Sequence, residues 1–175
     1  MQAAGTPLVE SRILTGYAWE AQQTRQVAYL NADGHVHELQ AEVNGSWKHQ
    51  DLTHLFEAPL AQEAALSGYV WQIGETKQVV SIGEDGDIYE LAAGADKQWS
   101  LTDLTAATSA PLAAGSTLAG FAWETGRSKQ VVYVGGDHHV HELTLKPKSV
   151  WKTPSSSNPA KFPVQPARPL WLRLP

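Results

Sequence analysis

The chain has 175 residues, of which 42% are apolar and 18% are charged, a composition typical of a globular domain with its own core. Its formal net charge of −5 argues against nucleic acid or an anionic membrane surface as a partner, because no excess of cations would neutralise phosphates. It has no cysteine, which excludes disulfides and thiolate chemistry. No secretory signal and no membrane-length apolar run is seen, so we expect a soluble protein that is cytoplasmic or released non-classically.

The dominant feature of the sequence is a repeat with copies 52 residues apart and no insertion or deletion between them. We call a set of identical or similar residues at equivalent positions of the repeat a ladder. The ladders are Trp19, Trp71 and Trp123; Gln26, Gln78 and Gln130; Glu38, Glu90 and Glu142; and Trp47, Trp99 and Trp151. Six of the seven tryptophans lie on these ladders, so the repeat accounts for the high tryptophan content. We divide the chain into three units, 7–58, 59–110 and 111–162, followed by a divergent tail, 163–175.

Within the first unit, short β-type runs follow one another along the chain. The runs are Leu14 to Glu20, Gln26 to Leu30, His35 to Gln40, and a short polar one centred on Trp47. Asn31-Ala32-Asp33-Gly34 predicts a hairpin turn between the second and third runs, and His138 replaces the glycine of this turn in the third unit. The segment from Asp51 to Phe56 fits a single helical turn, capped by Asp51 or Thr53.

Four antiparallel strands per unit, with tryptophans on the outer runs, are typical of β-propeller blades. We therefore predict an all-β fold with three four-stranded blades per chain. Propellers usually need at least about four blades, and each blade needs a neighbour on both faces. A homodimer that closes one six-bladed ring meets this requirement. The alternative is that the chain is a fragment of a longer repeat protein.

Three segments of the first unit resemble the motifs of the Aleuria-type fucose-binding lectins and their bacterial relatives. They are Arg25-Gln26-Val27-Ala28-Tyr29, Gly34-His35-Val36-His37-Glu38 and Gly45-Ser46-Trp47. The resemblance extends over all three units, from about residue 14 to residue 152. It implies a six-bladed propeller that binds sugars at several sites between neighbouring blades.

The resemblance also implies which residues contact the sugar: an arginine and a glutamate of one blade, with a stacking tryptophan from the adjacent blade. By position the glutamates are Glu38, Glu90 and Glu142, the stacking tryptophans are Trp47, Trp99 and Trp151, and Trp19, Trp71 and Trp123 are candidate walls. Gln26, Gln78 and Gln130 stand at the arginine position. The basic residues Arg25, Lys77 and Lys129 are one place away, hence on the opposite strand face. Glutamine cannot form the forked, charged bonds of arginine, so we expect glycans as partners, with fucosylated glycans one candidate class.

A second interpretation needs no sugar. The glutamates then bond groups at the blade junctions, the tryptophans fill the core between blades, and the protein is a structural or protein-interaction scaffold. The sequence contains no nucleophile elbow, zinc-peptidase motif or phosphate-binding glycine loop, so we expect neither catalytic residues nor a cofactor.

Pairs of histidines raise the question of a metal site. His35 and His37 share one strand face, as do His139 and His141, but the middle unit has Asp87 and Tyr89 at these positions. Because the middle unit lacks the histidine pair, the histidines of the other two units are better explained by packing than by metal binding. We therefore expect no metal.

Overall fold

A computed structural model describes residues 13–147, with the side chain of Glu63 excepted. These residues form three antiparallel sheets, which we call blades 1, 2 and 3 in chain order. The all-β propeller architecture predicted from the repeat is therefore confirmed. The start of the first predicted unit, the end of the third and the predicted tail, 163–175, lie outside the described residues, as does Trp151.

In blades 1 and 2 the four strands lie side by side in chain order, and in blade 3 the three described strands do the same. Blade 1 contains β1 (Leu14–Trp19), β2 (Thr24–Leu30), β3 (Val36–Glu42) and β4 (Lys48–Asp51). Blade 2 contains β5 (Ala61–Trp71), β6 (Thr76–Gly83), β7 (Ile88–Gly94) and β8 (Trp99–Asp103). The described part of blade 3 contains β9 (Ala113–Trp123), β10 (Ser128–Gly135) and β11 (Val140–Leu145).

A short helix follows the last strand of blades 1 and 2, as the sequence predicts. These helices are α1 (Leu52–Phe56) and α2 (Leu104–Thr108). Asp51 caps α1 by accepting a hydrogen bond from the backbone N–H of His54 at 2.9 Å. The other candidate cap, Thr53, instead accepts from the backbone N–H of Val36 at 2.8 Å, which ties the helix to β3. Among residues 13–147, no helix has the length and apolar character needed to cross a membrane.

The turn between the second and third strands connects each blade to the next. Gly34 and Gly86 have φ values of +79° and +85° in this turn, where glycine is favoured. The carbonyl of Gly34 accepts a hydrogen bond of 2.9 Å from the N–H of Ala61, the first residue of β5. Gly86 accepts in the same way from Ala113, the first residue of β9. The turns thus fix where the following blade begins.

The apolar core lies between the blades. One cluster joins blades 1 and 2 and includes Leu30, Val36, Leu52, Val79 and Leu91. A second cluster joins blades 2 and 3 and includes Ile82, Ile88, Leu104, Val131 and Leu143. Each blade therefore buries its side chains against its neighbours rather than within itself, as expected of a propeller.

Candidate functional site at the blade junctions

The carboxylate of Glu38 lies at the junction between blades 1 and 2, with only 1% of the residue exposed. The Tyr17 hydroxyl donates to its Oε1 at 2.7 Å. The Lys77 ammonium of blade 2 donates to its Oε2 at 2.5 Å and to Gln40 Oε1 at 2.7 Å. A buried carboxylate is therefore neutralised by a cation from the next blade.

The junction between blades 2 and 3 repeats this arrangement. Lys129 Nζ of blade 3 donates to both carboxylate oxygens of Glu90 at 2.8 Å, and the Tyr69 hydroxyl lies 3.4 Å from Oε2. Glu90 and Lys129 are both almost completely buried. The two junctions therefore share a Tyr–Glu–Lys arrangement whose lysine always comes from the following blade.

Burial at the junctions changes the acidity of both the phenols and the ammonium groups. It raises the pKa of Tyr17 and Tyr69 well above 10, and the adjacent carboxylates raise these pKa values further. It lowers the pKa of Lys77 and Lys129, and the attraction of Glu38 and Glu90 opposes this effect only in part. At neutral pH the phenols therefore stay protonated and act as donors.

The strand register explains why the basic residues meet the glutamates. Tyr17 pairs with Gln26, which pairs with Gln40, while Ala28 pairs with Glu38, so these side chains share the face of blade 1 that points to blade 2. On β6 of blade 2, Lys77 lies on the face opposite to that of Gln78, as the sequence predicts. That face points back to blade 1. Arg25, Lys77 and Lys129 recur every 52 residues, but the sequence alone does not show that two of them pair with a glutamate of the preceding blade.

The glutamines at the arginine position are also buried. The side-chain amide of Gln26 donates to Thr24 Oγ1 at 2.6 Å, and that of Gln130 donates to Ser128 Oγ at 2.6 Å; Gln78 bonds Thr76 in the same way. Among the described residues, none of the three Oε1 atoms has a hydrogen-bond partner. Each glutamine therefore keeps one buried acceptor unused by the protein.

The tryptophans line the junctions from both sides. Trp19 and Trp71 are buried on the first strand of their blades, whereas Trp123 is 59% exposed. Trp99 is half-buried on blade 2, and its ring centroid lies 4.7 Å from Lys77 Nζ. Trp47 is its counterpart on blade 1, with the Arg25 guanidinium 5.1 Å from its ring centroid. The predicted stacking residue thus lies beside the basic residue in both blades.

A cavity of about 340 Å³ opens next to the Glu38–Lys77 pair. Its walls include Trp19, Gln40, Lys48, Lys77, Lys97 and Trp99. Blade 1 contributes the first three of these side chains and blade 2 the others. The cavity combines two indole rings with several hydrogen-bond donors, so it offers a small ligand both an apolar surface and polar contacts.

The histidines of blade 1 form a cluster on the face that points away from blade 2. His37 Nδ1 lies 3.1 Å from His49 Nε2, and His35 Nδ1 lies 2.9 Å from Asp51 Oδ2. His37 stacks between Tyr29 and His49, and burial lowers its pKa. Within residues 13–147 no group of three or more His, Cys, Asp or Glu side chains has an arrangement that could hold a metal ion.

Comparison with solved structures places this fold among propeller lectins. A triple arginine-to-alanine mutant of AofleA from Arthrobotrys oligospora superposes with a TM-score of 0.61 and 16% identity, over 82% of this chain and 41% of that one. A fucose lectin from Kordia zhangzhouensis, in complex with methyl-fucoside, gives 0.56 and 21%, over 83% of this chain and 99% of that one. The six-bladed fungal lectin of Aleuria aurantia gives 0.52 and 16%, over 80% and 46%.

No protein-family model matches the chain, and a search of curated proteins gives no match either. The superpositions show that the three blades have the fold of the Aleuria-type propeller lectins, as the sequence motifs indicated. The chain spans less than half of the length of these two proteins, 41% of AofleA and 46% of the Aleuria aurantia lectin.

Proposed function

We propose that this protein binds carbohydrate at several equivalent sites between neighbouring blades, as a lectin does. The observation that carries the proposal is the cavity between blades 1 and 2, where Trp19 and Trp99 lie close to hydrogen-bond donors of Lys77 and Lys48. Sugars present apolar C–H faces, which pack on indole rings, and hydroxyls, which need donors and acceptors. Repeating a weak site around a ring raises the total affinity.

In this proposal Glu38 acts through Lys77. The carboxylate is buried behind the lysine, so it holds the ammonium in place and keeps it charged beside the cavity. An ammonium has three donors, and Glu38 and Gln40 use two of them, which leaves one for a ligand hydroxyl. The lysine thus supplies the charge that Gln26, at the arginine position, lacks.

Fucosylated glycans are the first ligands to test, because several proteins with this fold are fucose lectins. A lysine offers a compact charge where an arginine offers a planar fork, so the preferred sugar need not be the same. We expect methyl-α-fucoside or another monosaccharide to quench tryptophan fluorescence in a saturable manner, and a glycan array to identify the preferred class.

Trp99→Phe tests the location of the site. The smaller ring stacks less area against a sugar, which corresponds to a loss of about 1 kcal/mol, or about fivefold in affinity. Leu55→Ala changes an exposed apolar residue that does not line the cavity and serves as the control. Unchanged affinity in Trp99→Phe would place the sugar elsewhere.

The second candidate function is a scaffold that binds no sugar. It is favoured by the burial of Glu38 and Glu90, which already have their hydrogen-bond partners within the protein. A correctly folded protein that responds to no glycan on the array would support the scaffold and overturn the lectin proposal.

A further inference from the structure

Several repeat positions that are buried at the two internal junctions are exposed at the two ends of the blade array. Trp71 is 5% exposed, whereas its counterpart Trp123 is 59% exposed. Leu66 is 5% exposed and Leu14 is 64% exposed. We call the side of blade 1 that points away from blade 2 the leading face, and the side of blade 3 that points away from blade 2 the trailing face. Both faces have the composition of a junction.

Among residues 13–147, the leading face has no counterpart of the aromatic ring that the internal junctions hold against the equivalent glycine. A Cβ added to Gly68 would lie 2.3 Å from the Tyr17 ring, and one added to Gly120 would lie 2.4 Å from the Tyr69 ring. A Cβ added to Gly16 meets no described residue closer than the Gln26 carbonyl at 3.9 Å. The ring that occupies the corresponding position on the trailing face is Phe121, which is 44% exposed.

The charges on the two faces are complementary in the same way. Glu38 pairs with Lys77 and Glu90 pairs with Lys129, each across an internal junction. The remaining members of these ladders are Glu142 on the trailing face and Arg25 on the leading face, and both are exposed. No ion pair between described residues involves either of them.

The trailing face is also adapted to a guanidinium. Phe121 lacks the hydroxyl that Tyr17 and Tyr69 direct at their glutamates, but Thr144 donates to Glu142 Oε1 at 2.8 Å. Glu142 therefore keeps a hydroxyl partner, and an arginine can add a forked pair of charged hydrogen bonds to the carboxylate. An isolated lysine would add fewer.

We propose that these two faces bind a second copy of this chain, with blade 3 of each copy packed against blade 1 of the other. The two copies then form a closed six-bladed ring with two equal contacts, in which Phe121 packs on Gly16 and Glu142 pairs with Arg25. The contact also brings Trp47 beside Gln130 and Glu142, which completes a junction of the proposed sugar-binding type. The assembly itself does not depend on sugar binding.

The mass in solution is the first test. We expect light scattering after size exclusion to give about 38 kDa, twice the chain mass of 19.0 kDa. A wild-type mass of 19 kDa at tens of micromolar would overturn the proposal, and would indicate that the faces are covered by residues of the same chain or remain open.

Charge reversal tests the pairing itself. Arg25→Glu and Glu142→Arg each place like charges at both contacts of a homodimer, so each variant alone should be monomeric. Mixed together, the two variants form a heterodimer in which both contacts again join opposite charges, so the mixture should return to about 38 kDa. A mixture that stays at 19 kDa, or single variants that remain dimeric, would overturn the proposed contact.

Two further variants separate the contact from folding. Gly16→Trp adds a ring where the described residues leave space, so the circular dichroism should be unchanged while the dimer is lost. Arg127→Glu is the control charge reversal, because the repeat already has glutamate, Glu75, at this position. Dimerisation that survives Gly16→Trp would contradict the packing of Phe121 on Gly16.

Discussion

At the scale of single residues, the most constrained groups are the two carboxylates buried between blades. Glu90 is held by Lys129 and Tyr69 with 3% of the residue exposed, and water does not compete for these contacts. A buried ion pair adds little net stability over a well-packed apolar pair, but losing one partner leaves a buried charge without compensation.

Glu90→Ala is therefore expected to lower the free energy of unfolding by about 3–5 kcal/mol. The matched double variant, Glu90→Met with Lys129→Met, removes both charges and should recover most of this loss. Denaturant unfolding of the two variants and the wild type measures both effects. A loss below about 1 kcal/mol in Glu90→Ala would show that Lys129 reaches water or another partner without it.

His37 makes stability depend on pH on the acidic side of neutrality. Its pKa is lowered in the folded protein, chiefly by burial, and the charge of Asp51 opposes this while His49 and His35 reinforce it. Below the unfolded value of about 6.5 the unfolded chain binds a proton that the folded chain resists, so stability falls as the pH falls through this range. Asp51 has a lowered pKa and contributes a further loss only near and below its ordinary value of 3.8.

We expect the unfolding free energy to decrease between pH 7.5 and 5.5, and the decrease to be smaller in His37→Phe, which preserves the stacking on Tyr29. His54→Gln changes an exposed histidine and serves as the control. An equal pH dependence in His37→Phe and the wild type would assign the titration to another group.

At the scale of strands and turns, much of the structure follows from local sequence. The hydrophobic runs and the Asp-Gly turns predict the first three strands of blades 1 and 2, and of the two predicted helix caps, Asp51 and Thr53, the structure has Asp51. The fourth strand begins at Lys48 in blade 1 and at Trp99 in blade 2, so in blade 1 it follows Trp47 instead of being centred on it. The partner of each glutamate could not be predicted from one repeat, since strand alternation gives the face but not the neighbouring blade.

The third copy of the β2–β3 turn has a strained residue. His138 adopts a φ of +59°, where the first two blades have glycine. A residue with a Cβ costs roughly 1 kcal/mol in this left-handed conformation. Glycine avoids this strain but loses more conformational entropy on folding, and the second cost is only slightly smaller than the first.

His138→Gly is therefore expected to stabilise the protein by up to about 1 kcal/mol. Thermal or denaturant unfolding measures the change. The reverse substitution in blade 1, Gly34→His, should destabilise by more, because a Cβ there would lie 2.9 Å from the Ala61 carbonyl oxygen. Destabilisation by His138→Gly would mean that the imidazole makes contacts that outweigh its backbone strain.

At the scale of the whole molecule, the 52-residue period predicts the blades, and the blade count predicts that three are too few for a ring. The sequence cannot show that the two internal junctions differ from the leading and trailing faces. That difference appears only when Lys77 and Lys129 are seen buried while Arg25, at the same repeat position, is exposed.

If two copies close the ring, thermal stability depends on protein concentration by mass action. We expect the unfolding midpoint to rise by a few degrees for each tenfold increase in concentration. Arg25→Glu, which we expect to be monomeric, should unfold at the same temperature at every concentration. A midpoint that is independent of concentration in the wild type would agree only with a monomer.

The spacing between each buried glutamate and its lysine has a consequence for synthesis on the ribosome. Lys77 follows Glu38 by 39 residues, and Lys129 follows Glu90 by the same distance. Each carboxylate is therefore without its counterion until the first two strands of the next blade have been made. Blades can then be completed one after another from the N-terminus, each sealed by the arrival of the next. Such a vectorial order keeps the contacts that complete a blade short in sequence, which favours rapid folding for an all-β protein.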